Sequence, residues 1–220
     1  KFNQPLNSWD VRNVTNMRGM FYICENFSQN LNSWNVSKVI DMSYMFYYCR
    51  FFFNSLDSWD VSNVTNMEYM FVNCKEFNRS LNSWNVSNVT NMENMFNSAI
   101  IFNQPLDNWD VSNVTNMENM FHGCSAFNSP INSWNVSKVK SMKGMFSNTF
   151  FNQPLNLWNV SNVVNMERMF EVAYRFNQNI SNWNVSKVEN VVRMFRGASN
   201  FTKDIRLWNL MNVKNGFFTN

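Results

Sequence analysis

The chain has 220 residues, of which 17% are aromatic and only 15% charged, and its formal net charge is +3. So slight a charge, with no basic block or stripe, argues against nucleic acid as a partner. No apolar run approaches the roughly 18–20 residues that span a bilayer as a helix, so no transmembrane segment is expected in these residues.

From its opening Lys1-Phe2-Asn3-Gln4-Pro5-Leu6 the chain runs to Trp9, the first of nine tryptophans. The others are Trp34, Trp59, Trp84, Trp109, Trp134, Trp158, Trp183 and Trp208, spaced by 25 residues except for 24 between Trp134 and Trp158. A fixed period of this size marks a solenoid or array. Fifteen of the sixteen methionines lie eight or eleven residues after a Trp, and only Met211 is out of phase. Phenylalanine follows the second Met in the first eight units, from Phe21 to Phe195.

One unit, Phe102 to Ser125, shows the expected elements in order. Leu106 to Val111 has the form L-x-x-W-x-V, with Trp109 and Val111 alternating with polar Asp110. That is the pattern of a strand with one buried face. The spacing then becomes three, through Val111, Val114, Met117 and Met120. This predicts tight turns or a 3₁₀-like path. Met120-Phe121 with Cys124 predicts a short helical turn closing the coil, and Phe127 starts the return. A lone coil cannot bury these side chains, whereas stacked copies bury them as ladders. Nine strands at ~4.8 Å spacing make a parallel sheet ~40 Å across.

The four cysteines, Cys24, Cys49, Cys74 and Cys124, share a position with Ala99, Thr149, Ala173 and Ala198. A site accepting Cys, Ala or Thr wants a small buried side chain. Disulfides between stacked neighbours among Cys24, Cys49 and Cys74 stay open as an alternative, although three thiols leave one unpaired. Asparagine recurs four and seven residues after Trp, where it satisfies turn backbone and stacks in amide ladders. Its N-x-S/T triplets read as by-products of the repeat. The residue after Trp alternates between Asp and Asn through Asn135, which separates like charges on neighbouring strands. Toward the end, Leu210, Met211 and Gly216 depart from the pattern. Residues 209–220 therefore read as a degenerate final repeat or cap, and the opening has no visible cap. The whole, 1–220, is expected to be a single repeat solenoid and a piece of a longer chain.

The string VTNMENMFHGCSAF, Val114 to Phe127, resembles the core of BspA-like leucine-rich repeats. The fuller unit from Phe102 to Phe121 is similar to their 25-residue variety, common in mycoplasma surface lipoproteins and found in some protists and large DNA viruses. The resemblance runs from Phe2 to about Trp208, with L-x-x-W-x-V in the place of the family's strand. It implies an α/β repeat, a leucine-rich-repeat solenoid of about nine coils with a parallel sheet on one face and short helical or 3₁₀ turns on the other. It also implies a surface protein that binds other proteins or host matrix.

Catalytic chemistry finds little support. His122 is the one histidine, so no His-based triad or metal cluster is available. The five glycines are scattered, without a phosphate loop. Glu68, Glu93, Glu118 and Glu167 form a row one residue after the first Met, interrupted by Arg18 and Lys143, and read as a solvated face. No enzyme, cofactor or metal is expected. The Trp-flanking positions, such as Asn108, Asp110 and Ser112, are small and uniform. The variable turn residues are better placed for a specific partner: Tyr44, Tyr47, Tyr48, Arg50, Phe51, Tyr69, His122 and Tyr174, with Tyr22 beside them. The same residues read equally well as half-buried ladder edges. The expected function is adhesin-like binding of a protein or surface glycan at a cell surface. The alternative is a self-associating structural subunit of a filament, sheath or virion.

Overall fold

The computed structural model describes residues 2–215. Of the expected cap, 209–220, residues 209–215 are described and continue the coil pattern to the bridge at Asn215, while 216–220 lie outside the described residues. Coils are numbered here by their tryptophan, from coil 1 with Trp9 to coil 9 with Trp208.

Each coil is a succession of tight turns. In coil 5, Trp109 N–H donates to Leu106 O at 3.2 Å, Val114 to Val111 at 2.9 Å, Met120 to Met117 at 3.3 Å and Cys124 to Phe121 at 3.0 Å. The amides between them link to neighbouring coils. Met117, Asn119, Phe121 and Gly123 donate to the carbonyls of Ser141, Lys143, Met145 and Ser147 at 2.7–3.1 Å, and Thr115 donates back to Thr90 at 2.9 Å. Alternate amides thus hold the turn and hold the stack, so the backbone of the turn segment is satisfied without a helix.

This corrects the expected layout. Among the described residues there is no helix, and the only β pairing is a series of isolated parallel bridges, from Asn16↔Asp41 to Asn190↔Asn215. The bridges lie seven residues after Trp, not in L-x-x-W-x-V. In that segment the Trp amide is already committed to a turn, and the coils are joined by the indole instead. Trp109 Nε1 donates to Leu81 O at 2.8 Å, and the same bond recurs from Trp34 to Trp208. A helical turn at Met120-Phe121 is excluded by backbone hand. The residues ten and fourteen after Trp take positive φ in coil after coil, as Asn119 (51°) and Gly123 (68°) do. A left-handed residue every fourth position breaks any run of α geometry.

The core consists of ladders. The Trp column stacks at 6.2–6.5 Å, as in Trp109–Trp134 and Trp183–Trp208. Two Phe columns run beside it, one through Phe71, Phe96 and Phe121, the other through Phe77, Phe102 and Phe127. Within a coil the two Phe rings stack on each other at 3.9–4.5 Å. Each fully buried Phe contributes about 1.5–3 kcal/mol from burial, and ring pairs add about 0.5–1.5 kcal/mol. Both Met columns are buried beneath them in the interior coils. Trp9 differs, with 53% of its surface exposed.

Polar columns satisfy what the core cannot. The side chain after Trp accepts from the amide two residues on, whether it is Asp110 (Ser112 N–H, 3.0 Å) or Asn135 (Ser137 N–H, 3.2 Å). Asp and Asn are interchangeable there because either supplies the oxygen. Asn103 Oδ1 accepts from Asn128 N–H one coil up at 2.8 Å. Asn113 Nδ2 donates to Ser87 O one coil down at 2.8 Å. Cys49, Cys74 and Cys124 are free, buried thiols that donate to the carbonyls of Phe21, Phe46 and Phe96 at 2.7–3.1 Å.

The one 24-residue gap has a local explanation. Coil 6 lacks a residue between Thr149 and Phe151, where other coils have Cys124 to Phe127 and a turn hydrogen bond. Thr149 Oγ1 takes over as acceptor for Phe151 N–H at 3.4 Å, and itself donates to Phe146 O at 2.7 Å. The Phe column continues unbroken through Phe151.

Candidate interaction surface

The bridging segment and the turn that follows it form one face of the solenoid, and the sequence varies most there. In the middle coils its two left-handed columns hold residues suited to positive φ: Asn94, Ser98, Asn119, Gly123, Gly144 and Asn148. Such residues meet little steric penalty there. Coils 1 to 3 depart from this choice. Tyr44, Tyr48 and Tyr69 take φ of 58–59°, and Ile23 takes 57°. A bulky side chain in this region costs on the order of 1 kcal/mol. The middle coils show that the fold does not require it. Strain of this kind concentrates at functional sites.

The tyrosines come together. Tyr22 stacks on Tyr47 at 4.8 Å and 6°, and Tyr44 on Tyr69 at 4.6 Å and 4°. Tyr44–Tyr47 (5.7 Å) joins the two stacks, and Tyr48 packs on Tyr47 at 4.7 Å. Five of the six tyrosines thus form one patch across three coils. Tyr22 is exposed and the other four are half-buried.

Charged groups frame the patch. The Arg18 guanidinium lies 4.7 Å above the Tyr44 ring and donates to Ser43 Oγ at 2.8 Å and Glu68 Oε1 at 3.2 Å. Tyr69 OH donates to Glu93 at 2.8 Å. Arg50 lies 5.7 Å from the Tyr48 ring centre, and its buried Nε has no hydrogen-bond partner among the described residues. Burial pushes the phenols of Tyr44, Tyr47 and Tyr69 up, and for Tyr69 the bond to Glu93 acts in the same direction. The patch therefore offers neutral hydroxyls and ring edges between guanidinium groups.

The expected contact residues do not all meet. Tyr44, Tyr47, Tyr48 and Tyr69 are in the patch, and Arg50 adjoins it. Phe51 is exposed on the flank and makes no ring contact with the tyrosines among the described residues. His122 is on the same face but in coil 5, half-buried, and burial lowers its affinity for a proton while Glu171 pulls the other way. Tyr174 is exposed in coil 7, apart from the other tyrosines. The glutamate row is not simply solvated. Glu68 accepts from Asn91 Nδ2 at 2.7 Å and Glu93 from Asn116 Nδ2 at 3.0 Å, each from one coil up. Arg18 and Glu93 are patch residues that the variable tyrosines do not point to; their signal in the sequence is a shared register, nine residues after Trp and next to the left-handed position. Among the described residues no three His, Cys, Asp or Glu side chains converge as metal ligands, and no helix is long and apolar enough to cross a membrane.

A family model described as Mycoplasma protein of unknown function, DUF285, matches residues 1–71, 50–150 and 147–219. No curated protein matches the chain. Among solved structures, a leucine-rich repeat protein from Bacteroides ovatus ATCC 8483 is similar over 86% of this chain and 69% of its own, at 10% identity and a TM-score of 0.33. That likeness is too loose to argue from.

Proposed function

We propose that this chain, which belongs to the Mycoplasma family of unknown function DUF285, is a non-enzymatic recognition solenoid that binds a protein partner at a cell surface through its turn face. The observation that carries the proposal is the placing of Tyr44, Tyr48 and Tyr69 at left-handed positions that the middle coils fill with Gly, Asn or Ser. Tyrosine is the residue most used where large contact area is needed at low entropy cost, with Ser, Gly and Asn as adaptable companions. The turn face has this composition, with Arg18 and Arg50 as further anchors. Each coil contributes its own variable turn to a framework that does not change.

The test is a screen of the intact chain against arrayed extracellular proteins and surface glycans, repeated with a Tyr47→Ala/Tyr48→Asn double variant. A protein ligand should emerge, and the variant should weaken it by tenfold or more, the usual effect of removing an anchor worth about 1.4–3 kcal/mol. A ligand that ignores these substitutions but is lost with Ser112→Arg on the Trp-flanking face overturns the turn-face reading. Light scattering that rises with concentration, with no ligand found, favours a structural subunit instead.

A further inference from the structure

Bulky residues occupy the left-handed positions a second time in coils 7 and 8, at Arg168 (φ 56°), Val172 (59°) and Arg193 (56°). Arg168 and Arg193 hold the same place in adjacent coils, which are joined by Arg168 N–H to Val192 O at 2.9 Å. Their backbones are therefore ~5 Å apart, and like charges so placed repel. In coil 7 that repulsion is offset. Arg168 lies 3.4 Å from Glu167 and 3.7 Å from Glu171, and Lys143 in coil 6 reaches Glu167 at 3.2 Å. Coil 8 lacks such carboxylates, because Val192 stands where coil 7 has Glu167, and Arg196 where it has Glu171. Arg196 reaches back to share Glu171 at 3.3 Å. Exposed Arg193 has no ion-pair partner among the described residues. Three cations share two carboxylates, and Arg193 is a fourth beside them.

We infer that the turn face of coils 7 and 8 is a second binding site, which takes the carboxylate side chains of an acidic protein segment. The arginine fork matches a carboxylate with two parallel hydrogen bonds. Acidic side chains arriving over coil 8 complete the ion-pair pattern that coil 7 already has. The ligand is carboxylate-bearing polypeptide and not a sulfated polysaccharide or an anionic lipid surface because Glu167 and Glu171 stay in the patch. They repel a sulfated polysaccharide or a phospholipid sheet laid flat on it, while single carboxylates on a flexible chain fit between them. Arg175 is on the flank, where its guanidinium covers the Phe150 ring at 4.7 Å. The inference rests on the protein-recognition reading only for the class of partner.

The experiment measures binding of labelled poly-glutamate to the intact chain by fluorescence anisotropy at low salt. Heparin and phosphatidylglycerol vesicles serve as separate probes. Poly-glutamate should bind, weaken on the order of tenfold as salt rises to physiological strength and above, and lose on the order of tenfold or more with Arg193→Gln/Arg196→Gln. Arg193→Lys keeps the charge and removes the fork, so it should recover only part of the loss. Near-ultraviolet circular dichroism confirms that each variant is folded. No binding to poly-glutamate, binding unchanged by the arginine substitutions, or equal or tighter binding to heparin or vesicles overturns the inference. Tyr47→Ala/Tyr48→Asn should leave poly-glutamate binding unchanged, so failure at either site is seen apart from the other.

Discussion

Thr149 shows how one hydroxyl absorbs a deletion. The shortened turn in coil 6 has no room for the usual backbone bond, and the threonine oxygen replaces the missing carbonyl as acceptor for Phe151 N–H. Both groups are buried. Thr149→Val keeps the shape and leaves that amide and the Phe146 carbonyl short of a partner. Leaving such groups unsatisfied costs about 1–3 kcal/mol. Chemical denaturation should show this loss, whereas Cys124→Ala in a full-length turn should lose less, since Ala99 and Ala173 already serve at that position. Equal losses would mean that the hydroxyl is not what closes the short turn.

The thiols give a pH signature with a definite sign. Burial pushes Cys49, Cys74 and Cys124 well above the ordinary range for a thiol. The unfolded chain then loses these protons first. Their contribution to stability is complete below the unfolded value of about 8.5 and falls away as pH rises above it, at up to about 1.4 kcal/mol per pH unit for each thiol. The unfolding midpoint should therefore drop between pH 8.5 and 9.5. Substituting all three by alanine should flatten that slope, and Tyr44, Tyr47 and Tyr69 add the same trend only from about pH 10. A slope unaltered in the triple variant places the alkaline sensitivity elsewhere.

At the scale of the coil, the left-handed columns separate fold from function. Tyr48→Asn puts at that position the residue coil 3 already uses, Asn73. Relief of backbone strain, about 1 kcal/mol, opposes the loss of the Tyr47 contact, about 0.5–1.5 kcal/mol. Stability should change by less than about 1 kcal/mol while ligand binding falls. A loss above 3 kcal/mol would make Tyr48 a structural residue. Much of the coil was legible in its residues. The 25-residue clock of Trp9 to Trp208, the Met and Phe columns and the small site at Cys124 all follow from spacing. The hydrogen-bond scheme was not. Alternation around Trp109 looks like a strand because one face is buried, but its amide is committed to Leu106. The turn signal of Gly and Asn was masked wherever Tyr44, Tyr69 or Arg168 stands in their place. Gly19, Asn94, Asn119 and Gly144 fall in one column, ten residues after Trp, once the units are set in register. The patch itself was half legible, since Tyr47, Tyr48 and Arg50 adjoin in sequence while the Tyr44–Tyr69 stack needs the register of the coils.

Across the whole molecule, the tyrosine patch and the arginine stack share a face but not a coil. The patch ends in coil 3 and the arginines begin in coil 7, so about four coil rises, roughly 20 Å, separate them. A typical protein interface covers about 800 Å² on each side, wide enough to reach both. The middle coils, with Asn94, Asn119 and Gly144, keep the residues that suit the turn and contribute reach more than anchorage. Because each coil touches mainly its neighbours, a further coil should insert without disturbing the rest. A duplicate of residues 102–126 placed after Ala126 should fold, and should raise the denaturant m-value in proportion to the added buried surface. It also moves the two sites apart by ~5 Å. Poly-glutamate binding, which uses coils 7 and 8 alone, should not change. A rigid partner that engages both sites should bind more weakly, toward the affinity left by the better single site. An unchanged affinity would show that the two ends of the turn face are read separately, and that the solenoid presents two short epitopes where a single long one is expected.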